Sequence, residues 1–284
     1  MDEKFLSGQA RSRLELVKAG EGPINLRRFP DFLVVGPQRT GTTWLHANLR
    51  WHPEIFFTEP KEIFFFSRLK TPEDPDFRSN RLEWYLRCFY DPPWLLAYKH
   101  ALALLKHGRF YRPLVRGEAT ASYAALDEDV IEEIVALKPE IRVIMMVRDP
   151  VARAWSHAKK DLVRNRHRRL EDVSDEEFRD FFSDEYQRSC ARYSQNLDRW
   201  QAHLKPGHTL VEKFDDISSR PVDLLLEVMS FLGVSSEQRY VGQLASTTVN
   251  PTGSEAIPEQ HRRFLEELLA DEIAETRERF GVST

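Results

Sequence analysis

Residues 32–49, FLVVGPQRTGTTWLHANL, decide the fold of this chain. Their four leading apolar residues predict a buried strand, and Gly36 and Gly41 have the spacing of a Walker A phosphate-binding loop, G-x-x-x-x-G-K-[ST]. In such a loop, backbone N–H groups and the N-terminus of the next helix hold phosphate. Thr42 stands where that motif has its lysine, and the loop's cation is Arg39. The stretch therefore predicts a strand, an anion-binding loop and a helix, with an unusual contact to the anion.

The composition of the 284-residue chain is that of a soluble globular protein. Hydrophobic residues make up 41% and charged residues 30%, and the net charge of -4 argues against bulk electrostatic binding of nucleic acid. Cys88 and Cys190 are too few for a disulfide framework. The N-terminus does not resemble a signal peptide, and no apolar run is long enough to span a bilayer. We expect a cytoplasmic protein without nucleic-acid partners or a transmembrane segment.

Predicted strands and helices alternate along the chain. Beyond the first strand, apolar or β-prone segments occur at 54–57, 114–123, 141–147 and 209–214. Helices are predicted at 127–138, 193–203 and 221–232, from Pro150, after Pro258, and as two helices between 81 and 106, where Pro92 and Pro93 interrupt the spacing. This alternation indicates βαβ units. We predict an α/β fold, a P-loop-type three-layer α/β/α sandwich with a central parallel sheet of about five strands.

The predicted fold has consequences for domains and for ligand binding. At this length we expect a single domain over residues 1–284, with residues 1–30 as an N-terminal arm. Ligands of parallel α/β sheets bind at the carboxyl ends of the strands. We therefore look for chemistry where the predicted strands end.

A second anion site is suggested at the end of the strand 141–147. Arg148 follows this strand directly, Pro150 suits the first turn of a helix, and Ser156 falls about two turns into that helix. A strand-end arginine and a helix-borne hydroxyl can hold one phosphate by charge-assisted hydrogen bonds. The alternative is that Arg148 forms a salt bridge beside the helix and Ser156 only fills space.

Three segments together resemble a known family. GPQRTGTTWL (36–45), KEIFFF (61–66) and VRDPVARAWSHA (147–158) resemble, in order and spacing, segments of sulfotransferases that use 3'-phosphoadenosine 5'-phosphosulfate (PAPS). The resemblance extends from Phe32 to about Phe214 and is closest to the heparan-sulfate and bacterial carbohydrate branch. It implies transfer of a sulfuryl group from PAPS, with adenosine 3',5'-bisphosphate as product, to a hydroxyl or amine of a carbohydrate or small-metabolite acceptor.

The resemblance also implies roles for individual residues. Residues 31–45 would hold the 5'-phosphosulfate and residues 141–160 the 3'-phosphate. The implied cofactor-binding residues are Gln38, Arg39, Thr40, Gly41, Thr42, Thr43, Trp44, Arg148 and Ser156. Arg39 would also stabilise the leaving phosphate during in-line displacement, and Glu62 in KEIFFF would be the general base. No metal is implied, because the strand 141–147 ends in Arg148 where a Walker B strand ends in a carboxylate; Asp149 is the one reservation.

Other groups are candidates for the general base. Glu118 lies in a predicted strand-end turn, 117–123, that would face the same crevice. Histidine is the base in the aryl and steroid branch of the family, so His46, His100, His107 and His157 are rivals, although none stands in a matching segment. Lys61 would either position sulfuryl oxygens or cap its segment.

The sequence departs from the family pattern at two places. Ala119 replaces a lysine that often follows the glutamate at 118, which removes one expected cation. The loop at 250–258, which would close over PAPS, keeps Gly253 but lacks the usual lysine. This loop is therefore either a backbone contact to the 3'-phosphate or an ordinary surface loop.

Two segments could recognise the acceptor. An aromatic-rich helical segment contains Trp84, Tyr85, Phe89, Tyr90, Trp94 and Tyr98, and at this spacing we expect at least half of them to be core residues. A basic cluster between 159 and 169 could attract an anionic acceptor, although a solvated helix face is the simpler interpretation. The acceptor and the oligomeric state stay open.

Two other functions compete with sulfuryl transfer. One is a P-loop kinase or nucleotide hydrolase with a degenerate Walker A loop, and the other is a nucleotide-binding module without catalysis. The missing lysine after Gly41 and the strand-end Arg148 count against the first. The carboxylate Glu62 beside an intact loop counts against the second.

Overall fold

A computed structural model describes residues 5–59, 61–242, 245 and 256–282. Within these residues, one parallel sheet contains the strands β1 (Phe32–Gly36), β2 (Ile55–Phe57), β3 (Val115–Ala119), β4 (Arg142–Val147) and β5 (Thr209–Lys213), in the spatial order β2-β3-β1-β4-β5. Every pairing is parallel. The predicted α/β fold and its five-stranded parallel sheet are confirmed.

The helices follow the strands closely. They are α1 (Gly8–Arg11), α2 (Thr42–Leu49), α3 (Leu82–Arg87), α4 (Pro93–His107), α5 (Glu128–Leu137), α6 (Pro150–Ala158), α7 (Asp175–Ser183), α8 (Glu185–Ser189), α9 (Tyr193–His203), α10 (Asp216–Ser219), α11 (Pro221–Leu232), α12 (Glu259–Leu268) and α13 (Ala270–Phe280). The predicted break at Pro92 and Pro93 separates α3 from α4. No helix of the described residues has the length and apolar character needed to cross a membrane.

Helices α7 and α8 were not predicted from the sequence. The apolar face of α7 consists of phenylalanines alone, of which Phe178 and Phe182 are buried, and the rest of the helix is polar. The available signal was a capping box, in which the Ser174 hydroxyl accepts from Glu177 N and the Glu177 carboxylate accepts from Ser174 N. Both helices border the site described below.

Helices cover both faces of the sheet, so that β1 and β4 are buried on both sides. Alternate residues of a strand point to opposite faces. Leu33 and Val35 join one core with Tyr85, Tyr123 and Trp200, whereas Phe32 and Val34 join the other with Trp44, Leu45 and Met229. Each fully buried aliphatic or aromatic side chain stabilises the fold by about 1.5–3 kcal/mol. The sheet is therefore the middle layer of three.

The N-terminal arm packs against the body of the protein. Its residues Leu6, Val17, Ile24 and Phe29 are buried in the first core. The buried carboxylate of Glu133, on α5, accepts hydrogen bonds from the backbone N–H groups of residues 15, 16 and 17 at 2.7, 2.6 and 2.8 Å. One side chain thus satisfies three backbone donors of a segment outside regular secondary structure, and it holds the arm on α5.

We predict that Glu133→Ala lowers the free energy of unfolding by about 3 kcal/mol, because it leaves buried N–H groups without an acceptor. Urea denaturation measures the change. The matched control is Glu132→Ala, one residue away and exposed, which should change stability by less than about 0.5 kcal/mol. Equal urea midpoints for the two variants would show that Glu133 does not hold the arm.

Candidate active site

The loop after β1 is shaped by two glycines. Gly36 has φ 86° and Gly41 has φ 98°, in the left-handed region that side chains avoid. A Cβ atom at Gly36 would lie 2.6 Å from the Cα of Ala121, and one at Gly41 would lie 2.4 Å from Cδ1 of Ile217. Both positions therefore require glycine. Gly41 is also the N-cap residue of α2, so the loop leads directly into a helix N-terminus.

The threonines of the loop differ in their exposure. Thr40 is fully buried and its hydroxyl donates to the carbonyl of Pro37 at 2.7 Å, which closes the loop on itself. Thr42 is buried in the first turn of α2, and Thr43 is partly exposed. Unpaired N–H groups and the helix dipole make such a terminus favourable for an anion. Because the Thr40 hydroxyl already donates to Pro37, the backbone of Thr40 is the group suited to hold phosphate.

Arg39 joins the loop to the second predicted anion site. Its Nε donates to Oγ of Ser156 on α6 at 2.9 Å. Arg148 Nη1 donates to the backbone carbonyl of Arg39 at 2.9 Å, and the Arg148 guanidinium lies 4.1 Å from the ring centroid of Phe214. The structure thus brings together Arg39, Arg148 and Ser156 at the carboxyl ends of β1 and β4. We call these three residues the arginine–serine cluster.

The electrostatics of the arginine–serine cluster suit an anion. Burial lowers the pKa of Arg39, and the positive charge of Arg148 lowers it further. Burial also lowers the pKa of Arg148. Two partly desolvated cations that oppose each other are stabilised when a negative charge enters between them. The donor set therefore fits a phosphate or sulfate group.

Asp149 has a structural role beside this cluster. It is the N-cap residue of α6, where its Oδ1 accepts from Ala152 N at 2.6 Å, and Pro150 takes the first helical position. Burial raises the pKa of Asp149. This carboxylate caps a helix, and the cap fixes the direction in which α6 presents Ser156.

Two predicted cofactor residues direct their side chains elsewhere. The Gln38 amide donates to the Tyr186 hydroxyl on α8, and its carbonyl oxygen lies 3.6 Å from Sγ of Cys190. The indole of Trp44 is buried and donates to the carbonyl of Ala245 at 3.3 Å. Any contact of Trp44 with a cofactor would therefore be through its backbone. Helix α8 forms a wall beside the loop through Tyr186.

Glu62 lies at the same end of the sheet. Its Oε2 accepts from the backbone N–H of Ala121 at 2.8 Å, and its Oε1 pairs with Lys61. Because Ala121 is also the residue against which Gly36 packs, the Glu62 carboxylate is held next to the start of the loop. Its side chain keeps 20% of its surface exposed, so a substrate can reach it. Lys61 pairs with Glu62 and so lies at the same end of the sheet.

Glu118 does not face the crevice as predicted from the sequence. It is fully buried, and its carboxylate accepts hydrogen bonds from the Tyr85 hydroxyl and from Thr120 Oγ1, the latter at 3.1 Å. Thr120 Oγ1 in turn accepts from Ile63 N at 3.1 Å. An acceptor molecule cannot reach this carboxylate. The sequence placed Glu118 correctly near a strand end but could not show that Tyr85, from α3, covers it.

Burial also changes the acidity of Glu118. Desolvation raises its pKa from 4.5 to about 7, the hydrogen bonds from Tyr85, Thr120 and Tyr123 act in the opposite direction, and the charge of Glu62 raises it again. The two carboxylates are thus coupled. Through the hydroxyl of Thr120, Glu118 is connected to the backbone of Ile63, the residue next to Glu62.

Comparison with known proteins decides the family. The sequence profile of the Sulfotransferase family matches residues 30–238, which include the loop, Glu62 and the arginine–serine cluster. The chain belongs to the sulfotransferase family. The prediction of a sulfuryl-transferring enzyme is confirmed at that level.

Curated relatives and solved structures agree with this assignment. The sulfotransferase is 26% identical over 224 residues to the bifunctional heparan sulfate N-deacetylase/N-sulfotransferase 4 of Mus musculus and 26% identical over 231 residues to enzyme 2 of Homo sapiens. These matches cover 74% and 76% of this chain but 23% of each relative, so the chain spans about a quarter of their length. A sulfotransferase structure from Alicyclobacillus acidocaldarius has the same fold, with a TM-score of 0.60 at 22% identity over 90% of this chain and 97% of that one.

The rival histidines of the sulfotransferase occupy other environments. His46 Nε2 contacts the carbonyl of Thr58 at 3.0 Å, and burial lowers its pKa to about 4. His157 is buried and lies 3.3 Å from Asp161, and burial lowers its pKa. His100 and His107 pack against the rings of Tyr111 and Tyr240. Glu62 therefore stays the best-placed candidate base among the described residues.

The two predicted acceptor segments have different fates. Half of the aromatic residues are in the core or packed on it, namely Trp84, Tyr85 and Phe89, whereas Tyr90, Trp94 and Tyr98 are exposed. In the basic cluster, Lys159 is buried beside the Trp155 ring, and Arg168 and Arg169 pair with the carboxylates of Glu177 and Asp172. Much of the cluster's charge is thus neutralised locally. Of the loop at 250–258, residues 250–255 lie outside the described residues.

The raised pKa of Glu118 predicts a pH dependence of stability. Between pH 4.5 and about 7 the unfolded carboxyl group loses its proton while the folded one keeps it. In this range the folded state binds more protons than the unfolded state. Folding therefore becomes less favourable as the pH rises from 4.5 to about 7, and the stability that the protonated Glu118 provides at low pH is lost. We predict that wild type loses up to about 3 kcal/mol of unfolding free energy relative to Glu118→Gln over this interval, because glutamine does not titrate.

Urea denaturation of both proteins at pH 5 and pH 8 measures this difference. The control Glu176→Gln removes an exposed carboxylate on α7 and should leave the pH dependence unchanged. A difference between wild type and Glu118→Gln that is independent of pH would mean that the buried carboxyl does not titrate in this range.

Proposed function

We propose that this sulfotransferase moves a sulfuryl group from PAPS to a hydroxyl or amine of a carbohydrate acceptor, by in-line displacement. The observation that carries the proposal is the arginine–serine cluster, in which the loop after β1 and the end of β4 meet through Arg39, Arg148 and Ser156. PAPS is a donor with two separate anionic ends. Two anion-binding elements that contact each other directly are suited to such a donor.

The backbone of the loop would bind the 5'-phosphosulfate. Gly41 and Thr42 place N–H groups at the N-terminus of α2, where the helix dipole favours negative charge. Arg148 and Ser156 would bind the 3'-phosphate, Arg148 by charge and Ser156 by its hydroxyl. These assignments follow the family resemblance, and the hydrogen bond between Arg39 and Ser156 supports them because it joins the loop after β1 to α6.

Arg39 would stabilise the charge that develops on the leaving phosphate. Its left-handed backbone, φ 70°, and its hydrogen bond to Ser156 hold the guanidinium against α6. Donors that are fixed before the reaction stabilise developing charge without the cost of reorganisation. Arg39, as a fixed cation, can supply the charge stabilisation that the lysine of a Walker A loop supplies in other P-loop proteins.

Glu62 would act as the general base and take the proton of the acceptor hydroxyl or amine as that group attacks sulfur. Its hydrogen bond from Ala121 N and its pairing with Lys61 fix the carboxylate in one orientation. A positioned base contributes roughly 10² to 10⁴-fold in rate. Partial exposure of this side chain leaves room for an acceptor beside it.

A carbohydrate acceptor is supported by the relatives. Their names describe N-sulfotransferases of heparan sulfate, a carbohydrate. Because the chain is 26% identical to them, this support extends to the class of acceptor and not to one saccharide. An amine and a hydroxyl both fit a mechanism in which a carboxylate removes one proton.

The first test concerns the donor. Adenosine 3',5'-bisphosphate at 100 times its Kd should add about 2.7 kcal/mol of apparent stability, measured by thermal unfolding, whereas magnesium-ATP should add less.

Arg148→Ala should weaken bisphosphate binding by about 10 to 100-fold, because a charge-assisted contact is lost. The control Arg142→Ala lies at the other end of β4, where the guanidinium contacts the carbonyl of Leu232, and should keep full affinity. Stabilisation by magnesium-ATP alone would instead favour a kinase or hydrolase.

The second test concerns the base. Glu62→Gln should retain affinity for adenosine 3',5'-bisphosphate within about twofold and lose roughly 10² to 10⁴-fold in kcat with any accepted carbohydrate. Labelled PAPS in an acceptor screen provides the activity measurement. Glu59→Gln is the matched control, since Glu59 is exposed and pairs with Arg50. Undiminished turnover in Glu62→Gln would remove Glu62 from this role.

A further inference from the structure

Helix α4 presents an unusually apolar face to solvent. The residues at the outward positions, spaced by three and four, are Trp94, Ala97, Tyr98, Ala101, Leu104 and Leu105. Trp94 is 71% exposed and Leu105 85% exposed. Beyond the helix, Phe110 is 70% exposed and Leu114 is 58% exposed. Large apolar residues grouped on one exposed helix face mark an interaction site.

The orientation of this helix is fixed by the fold. Its inward face carries Lys99, whose Nζ donates to both carboxylate oxygens of Asp91 at 3.0 and 2.8 Å and lies 5.1 Å from the ring centroid of Phe56. The Lys99 side chain is only 2% exposed. Rolling the helix to hide its apolar stripe would separate Lys99 from Asp91 and leave a buried charge unpaired, which is strongly destabilising. The outward position of Trp94 and Leu105 is therefore a built feature.

The charged residues of α4 and of the segment that follows it are positive. Residues 92–117 contain five cations, Lys99, Lys106, Arg109, Arg112 and Arg116, and no acidic residue. Lys106, Arg109 and Arg112 are exposed at the C-terminal end of the face. Of these three, Arg109 has a carboxylate neighbour, Glu54, at 3.4 Å. The face thus combines tryptophan, tyrosine and leucine with a cationic rim.

We propose that this face of α4 docks on the surface of an anionic lipid bilayer. Helices that lie in a membrane interface bury aromatic and aliphatic residues among the acyl chains, while lysines and arginines contact anionic headgroups. The rim of Lys106, Arg109 and Arg112 complements such headgroups. A second copy that docks through the same face is a poorer occupant, because residues 92–117 of both copies would bring the same excess of cations to the interface. The proposal is independent of the function proposed above.

Vesicle co-sedimentation tests the docking. The full chain should bind vesicles of phosphatidylcholine with about 30% phosphatidylserine more tightly than vesicles of phosphatidylcholine alone, and added salt should weaken the binding. The double variant Trp94→Ser/Leu105→Ser should weaken it by at least about tenfold, because the inserted apolar surface is lost. Lys106→Glu/Arg112→Glu should weaken it by about tenfold or more on the anionic vesicles.

Matched controls separate docking from general stickiness. Phe5→Ser changes an exposed aromatic residue elsewhere, and Arg13→Glu reverses an exposed charge outside the face, so both should bind vesicles like the wild type. Circular dichroism confirms that each variant is folded, and the charge variants serve if the apolar double variant fails to fold. Wild type that does not bind anionic vesicles would overturn the proposal. So would a wild-type dimer that becomes monomeric in Trp94→Ser/Leu105→Ser, because the occupant would then be a second copy.

Discussion

The contact of Arg148 with the backbone carbonyl of Arg39 is the interaction on which the site depends. It links the loop after β1 to the end of β4, and the side chain of Arg39 continues the link to Ser156 on α6. The sheet prepares it, because β1 and β4 are neighbours and their register shifts between Val34 and Gly36, where the loop begins. Two partly buried guanidinium groups in contact with one loop destabilise the empty site and stabilise it once an anion is present. The unfavourable burial and repulsion of the two arginines in the free protein would therefore be relieved by an anion, which would increase the affinity for it.

A second constraint organises the carboxylate side of the site. Consecutive residues of one turn, Thr120 and Ala121, contact the two carboxylates, because Thr120 donates to Glu118 and Ala121 donates to Glu62. The same turn packs against Gly36, so the proposed anion-binding loop and the proposed base share one support. With its pKa near 7, Glu118 carries a proton for much of the time at neutral pH. The average negative charge beside Glu62 is thereby reduced at neutral pH, although both carboxylates are present.

Much of the fold was predictable because its signals are local. The apolar strands at 32–35 and 141–147, the glycine spacing of the loop and the proline that begins α6 each act through neighbouring residues. The features that the sequence did not predict depend on residues far apart in the chain. Glu118 is covered by Tyr85, 33 residues away, and Gln38 donates to Tyr186, 148 residues away. No spacing within a segment can reveal such contacts, so the candidate site was predicted as a set of residues but not as an arrangement.

Helix α4 shows the same limit in the opposite direction. Its hydrophobic spacing alone predicts that leucines and aromatics face the core, yet Lys99 faces inward instead. The reason is Asp91, which precedes the helix and offers a buried carboxylate, together with the rings of Phe56 and Tyr111, whose centroids lie 5.1 and 5.4 Å from the ammonium group. A buried ion pair rarely adds much stability over an apolar pair of the same size, but it specifies one arrangement, because any other leaves a charge unpaired. In this protein the arrangement it specifies leaves the apolar stripe outside, which gives the Lys99–Asp91 pair a function that its contribution to stability alone would not explain.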